Sequence, residues 1–179
     1  NKCNLRCRFC HLVFLEPEES QQLSYDQFLK AAPILEKVKS ISLFSKYEPL
    51  TCRDFIPIFN KICEYDIETY FSTNGILLND AIIDALVGRL TYLTVSVTGF
   101  TRESYAKNMS QDRLETVREN LAKLNAAKKA VNTEYPKLRI TTVGMLDSLD
   151  ELCRSLDFAA EFEASEGVRM SYFRSYDES

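Results

Sequence analysis

Tyr92-Leu93-Thr94-Val95-Ser96-Val97-Thr98-Gly99 is a β-rich run that closes on a glycine. Downstream of it, Leu114, Val117, Leu121 and Leu124 recur at helical spacing. An extended run, a glycine turn and an amphipathic stripe make one strand–helix unit, because a period of two and a period of 3.6 each present one apolar face. The same alternation extends in both directions. Further β-rich runs are Ile41–Phe44, Glu68–Ser72, Leu138–Val143 and Val168–Phe173. Helical stripes lie between them: Phe28, Ala32, Leu35 and Val38; Phe55, Ile58, Phe59 and Ile62; Leu149, Leu152, Leu156 and Ala159. Ser24 with Gln27 three residues on predicts a capping box, Pro57 fits a first helical turn, and Pro33 predicts a kink in the first helix. Strand–helix alternation implies right-handed βαβ units and a parallel sheet with helices outside. Five visible strands are too few for an eight-stranded barrel of about 250 residues. An open, curved parallel sheet or partial barrel is expected, as one domain over residues 1–179.

The composition fits that reading. Of 179 residues, 45% are hydrophobic and 27% charged, close to a soluble globular average. No apolar run approaches the roughly 18 residues of a membrane span. A formal charge of −4 disfavours a broad nucleic-acid-binding surface, which needs excess Lys and Arg. The chain starts Asn1-Lys2-Cys3, with no Met and no signal peptide, and so reads as a piece of a longer protein. Of the six cysteines, three crowd the first ten residues and three stand alone. That distribution is unlike a disulfide framework and fits a reducing, cytoplasmic compartment. Cys63 and Cys153 fall among apolar helical positions, which predicts buried thiols packing as small hydrophobes.

In parallel α/β sheets ligands bind at the carboxyl ends of the strands. Those ends read Ser45-Lys46-Tyr47-Glu48, Thr73-Asn74-Gly75, Ser96 with Thr98, Thr142 with Gly144, and Arg174 with Tyr176. Residues distant in sequence would therefore converge on one edge, although Asn74-Gly75 and Thr98-Gly99 also read as simple turn chemistry. The opening loop spaces its cysteines as CxxxCxxC: Cys3, Cys7 and Cys10. A structural zinc site normally takes four N or S ligands. His11 directly follows Cys10, and adjacent residues rarely reach one tetrahedral ion. Three cysteines suit a [4Fe–4S] cluster with one iron left for another ligand. A zinc-stabilised structural domain stays the alternative.

Asn1-Lys2-Cys3-Asn4-Leu5-Arg6-Cys7-Arg8-Phe9-Cys10 closely resembles the cluster loop of the radical S-adenosylmethionine (SAM) superfamily, including the aromatic before the last cysteine. Ser45-Lys46-Tyr47-Glu48-Pro49-Leu50 resembles the family's Gly-Gly-Glu-Pro segment. Ser72-Thr73-Asn74-Gly75 resembles the segment closing its third strand, and Val95-Ser96-Val97-Thr98-Gly99 the fourth. The resemblance implies a partial (βα)6 parallel barrel whose first strand is missing before Asn1. It also implies an enzyme that binds a [4Fe–4S] cluster and SAM. Such an enzyme cleaves SAM reductively to a 5′-deoxyadenosyl radical, which takes hydrogen from substrate. By the same resemblance Cys3, Cys7 and Cys10 ligate three irons and carry the catalytic centre. The Phe9 backbone contacts adenine. Ser45, Lys46 and Tyr47 offer carbonyls to the SAM ammonium, with Glu48 assisting. Ser96 meets ribose or carboxylate, and Asn74 lines the cavity. Val143 to Met145 and Arg174 border adenine or substrate.

This sequence departs from the family where both glycines of its segment give way to Ser45, Lys46 and Tyr47. Thr98 replaces a common Asp, and Lys107 is the candidate for an arginine that relatives aim at the SAM carboxylate. The Cys3–Cys7 loop resembles the peptide- and protein-modifying (SPASM-like) branch, whose members often carry further clusters C-terminally. Expected partners are a small-molecule or peptide substrate and an electron donor such as flavodoxin or ferredoxin, without nucleic acid or membrane. The altered Ser45–Tyr47 segment motivates a second alternative, a degenerate SAM-barrel scaffold without catalysis.

Overall fold

A computed structural model describes residues 2–13, 21–44, 46–145 and 150–172. Among the described residues five strands form one sheet: β1 (Ser40–Ser42), β2 (Glu68–Thr73), β3 (Tyr92–Ser96), β4 (Lys137–Gly144) and β5 (Val168–Tyr172). Their spatial order follows the sequence and every neighbouring pair is parallel. Each crossover carries at least one of six helices: α1 (Tyr25–Ala31), α2 (Phe55–Ile62), α3 (Asp80–Leu86), α4 (Arg102–Met109), α5 (Leu114–Ala130) and α6 (Leu152–Glu161), with α1 preceding β1. The sequence expectation of a parallel α/β sheet is met, with strand bounds shifted by a residue or two. Phe173, Leu149, Arg174 and Tyr176 lie outside the described residues.

Local chemistry sets the helix ends. Ser24 Oγ accepts from the Gln27 N–H at 3.2 Å while Gln27 Oε1 accepts from the Ser24 N–H at 2.9 Å, the reciprocal cap expected from spacing. The chain then tightens into a 3-10 turn over Ala32–Lys37, with Pro33 in its first turn. Proline brings no N–H to continue the α ladder, so the expected kink takes that form. Asn79 caps α3 through Ile82 N–H at 3.0 Å, a helix whose stripe the sequence reading did not separate.

The two faces of the sheet differ. On β2, β3 and β4 alternate residues are buried: Phe71, Leu93, Val95, Leu138 and Ile140 pack against the helices. Phe55, Phe59, Leu86, Val117, Leu121 and Leu124 meet them from α2, α3 and α5. The opposite face carries Tyr70, Ser72, Thr94, Ser96 and Thr141, partly exposed. That open face leads to the strand ends where the site lies.

Two expectations fail on α6. Leu156 is 62% exposed and Cys153 is exposed. The buried positions are Ser155, Phe158, Ala159 and, just past the helix, Phe162. The helix turned about its axis because the two phenylalanines, tilted together at 4.8 Å between centroids, bury more apolar area than the leucines would. Cys63 is only half-buried at the end of α2. Among the described residues no helix is long and apolar enough to cross a membrane.

Candidate functional site

The cysteine loop is held from two sides. Leu5 is buried in the main core. Asn4 Oδ1 accepts from Asn74 Nδ2 at 2.7 Å, and Asn4 O accepts from Gln111 Nε2 at 2.8 Å. The end of α4 supplies further anchors. Arg8 N donates to Asn108 O at 3.1 Å, and Arg6 N donates to Ser110 Oγ at 2.9 Å. Cys10 N donates to Cys7 O at 2.9 Å, closing a turn that brings the last two cysteines together. Lys2 O accepts from Glu48 N at 3.1 Å, so the start of the loop is tied to the segment after β1.

These ties gather the expected residues around one cavity of about 230 Å³. Cys3, Cys7, Phe9, Lys46, Tyr47, Glu48, Asn74 and Ser96 all line it. Cys10 is half-buried and does not line the cavity, but its charge acts on Cys3 and Cys7. Ser45, Arg174 and Tyr176 lie outside the described residues. Sequence reasoning missed Ser72, Thr141 and Met109 as lining residues. Period two could have found the first two, since Ser72, Ser96 and Thr141 share one sheet face and Ser72 Oγ stands 3.3 Å from Ser96 Oγ. Thr142, favoured from sequence, points to the helices and is buried. Lys107 is exposed on α4, and Met109 takes the place beside the loop. A larger apolar groove of about 400 Å³ lies beyond Tyr47 and Glu48, against Phe28, Ile41 and Phe55. It holds no residue of the cysteine triplet.

Glu48 is 6% exposed, not a solvated loop carboxylate. Its Oε1 accepts from Thr73 Oγ1 at 2.8 Å and from Leu50 N at 3.2 Å, and its Oε2 accepts from Asn74 N at 2.8 Å. Burial holds its carboxyl above the usual carboxylate range, the three donors opposing. Burial also raises the Cys3 thiol. The Cys7 thiol is pushed up to about 12, by burial first and then by the charges of Cys10 and Cys3. Thiols so crowded hold their protons until a cation offsets the charge, and metal binding then releases them. Among the described residues no three His, Cys, Asp or Glu side chains stand close enough to hold a single metal ion.

Known proteins resemble this chain in sequence and in fold. A probable GTP 3',8-cyclase of Methanocaldococcus jannaschii is 26% identical over 167 residues, covering 92% of this chain and 54% of the relative. The GTP 3',8-cyclase of Aliarcobacter butzleri is 26% identical over 183 residues, covering 94% and 56%. The chain thus spans about half the length of the curated relatives it matches. Streptococcus suis SuiB, solved with bound S-adenosylmethionine, superposes with a TM-score of 0.78 at 18% identity, over 99% of this chain and 40% of that one. That likeness is one of fold. The sequence profile described as Radical SAM superfamily matches residues 1–159, and with it the chain belongs to that superfamily, whose enzymes use a [4Fe–4S] cluster and S-adenosylmethionine.

Proposed function

We propose that residues 1–179 form the core of a radical SAM enzyme in which Cys3, Cys7 and Cys10 hold the cluster and the strand-end cavity receives SAM. The observation that carries this reading is the lining of one cavity by Cys3, Cys7, Glu48, Asn74 and Ser96, which come from separate parts of the chain. The donor set fits the group. Three sulfurs lie on one short loop, a set that would leave one iron of such a cluster open. A buried, unpartnered hydroxyl on Tyr105 belongs to α4, the helix whose end meets this loop. The family's cluster, when reduced by one electron, supplies cleavage of the SAM sulfonium bond. The chain's own residues bind and orient. Glu48 offers carboxylate oxygens at the cavity wall for an ammonium, Ser96 and Ser72 offer hydroxyls, and Phe9 and Tyr47 give apolar walls. Such walls keep water from a reactive site.

For the substrate we take GTP ahead of the peptide expected from the cysteine loop. The GTP 3',8-cyclases align with more than nine-tenths of the chain, whereas SuiB, also solved with its precursor peptide, supports the fold alone. An electron donor such as flavodoxin or ferredoxin completes the scheme. The test is anaerobic reconstitution of the full-length protein with iron and sulfide, then SAM, reductant and GTP. Expected are an EPR spectrum that shifts on adding SAM, and 5′-deoxyadenosine released in a GTP-dependent way. No cluster, or a spectrum indifferent to SAM, overturns the core reading and favours a scaffold. Release of 5′-deoxyadenosine without dependence on GTP overturns the substrate alone.

A further inference from the structure

The C-terminal half of α4 lies directly against the cysteine loop. Met109 O stands 4.0 Å and Met109 Sδ 3.8 Å from Cys7 Sγ, and Asn108 O accepts the Arg8 N–H. Tyr105 sits one turn before Met109, hence on the same helix face. It is 0% exposed, and its hydroxyl is buried with no hydrogen-bond partner. A buried O–H left unmade is expensive, so a group that completes it is to be looked for nearby. The helix is fixed there by Gly99, whose φ of +98° lets the chain turn tightly over Ser104 and Tyr105.

We propose that Tyr105 is a positioning residue of the cluster, its phenol O–H donating a hydrogen bond to the Cys7 sulfur once iron is bound. This rests on the proposed function above. A phenol carries the O–H donor that such a bond needs. A hydrogen bond to a ligating sulfur draws charge from it and favours the more negative, reduced cluster. Tyr105 therefore eases the delivery of the electron on which the chemistry depends.

The experiment compares reduction potentials of the reconstituted full-length protein by EPR-monitored redox titration. Tyr105→Phe keeps the ring and removes the donor; equal iron and sulfide content with a more negative potential is expected. Site-specific replacement of Tyr105 by difluorotyrosine makes a stronger donor and should move the potential the opposite way. Potentials equal to wild type in both proteins overturn the inference, and would mean that the hydroxyl turns to the buried Asn108 Oδ1 instead. If the phenylalanine variant holds no cluster, the difluorotyrosine shift decides alone. A wild type that assembles no cluster overturns the proposed function and this inference with it.

Discussion

Asn74 Nδ2 lies 2.7 Å from Asn4 Oδ1, so the end of β2 grips the cysteine loop directly. The same Asn74 accepts the Ile76 N–H on its Oδ1 at 3.1 Å. One side chain thus shapes the turn after β2 and fixes the loop beside it. Asn74→Ala is expected to cost about 1–2 kcal/mol, at roughly 1 kcal/mol per net hydrogen bond, and to lower the iron retained after reconstitution. Urea unfolding and iron per chain check this; iron retention equal to wild type would separate Asn74 from the loop's function.

Glu48 makes stability depend on pH in a stated direction. Its folded pKa is raised above the ordinary 4.5, so the folded protein binds that proton more tightly than the unfolded chain does. The contribution is fully present below pH 4.5 and is lost as pH rises through the folded value. Thermal midpoints of wild type should fall more steeply from acid to neutral pH than those of Glu48→Gln. Parallel profiles would refute the assignment.

Two glycines should respond differently to the same change. A Cβ at Gly99 would meet Ser104 C and Tyr105 N at 2.4 Å, whereas one at Gly88 would meet nothing within 4 Å. Both have positive φ, which costs an L-residue roughly 1–3 kcal/mol. Gly88→Ala should lose about that much and Gly99→Ala clearly more, because backbone must move. Denaturant midpoints of the pair decide it.

Asn120 on α5 donates to Gly75 O at 2.9 Å and to Ile76 O at 3.1 Å. Asn120→Leu keeps the branched shape and removes both donations. A loss of about 1–3 kcal/mol is expected from buried acceptors left short, with faster hydrogen exchange at the Ile76 amide. Unchanged exchange there would show that the turn holds without α5.

Much of this was legible beforehand, for local reasons. Ser24 with Gln27, and the stripes Phe55–Ile62 and Leu114–Leu124, announce themselves because cap and core contacts follow helical spacing. Cys3, Cys7 and Cys10 stand out in sequence because three of the six cysteines crowd its first ten residues. The errors have a different origin. On α6 the competition between Leu156 and Phe158 for the core went to the phenylalanine, whose ring pairs with Phe162. Met109 replaced Lys107 at the site because α4's rotation is set by Gly99 and the buried Tyr105, not by charge. Glu48 is legible in sequence as a strand-end acid of the cavity, while its burial depends on Thr73 and Asn74 arriving from β2.

Among the described residues β1 and β5 each pair on one side only, leaving backbone donors and acceptors open along both margins. Open margins of this kind recruit any extended segment that comes within reach. Concentrated preparations of residues 1–179 by themselves should therefore self-associate through main-chain pairing, most readily at the five-residue β5. Dilute solutions, or a partner segment laid along either side, would keep the molecules apart.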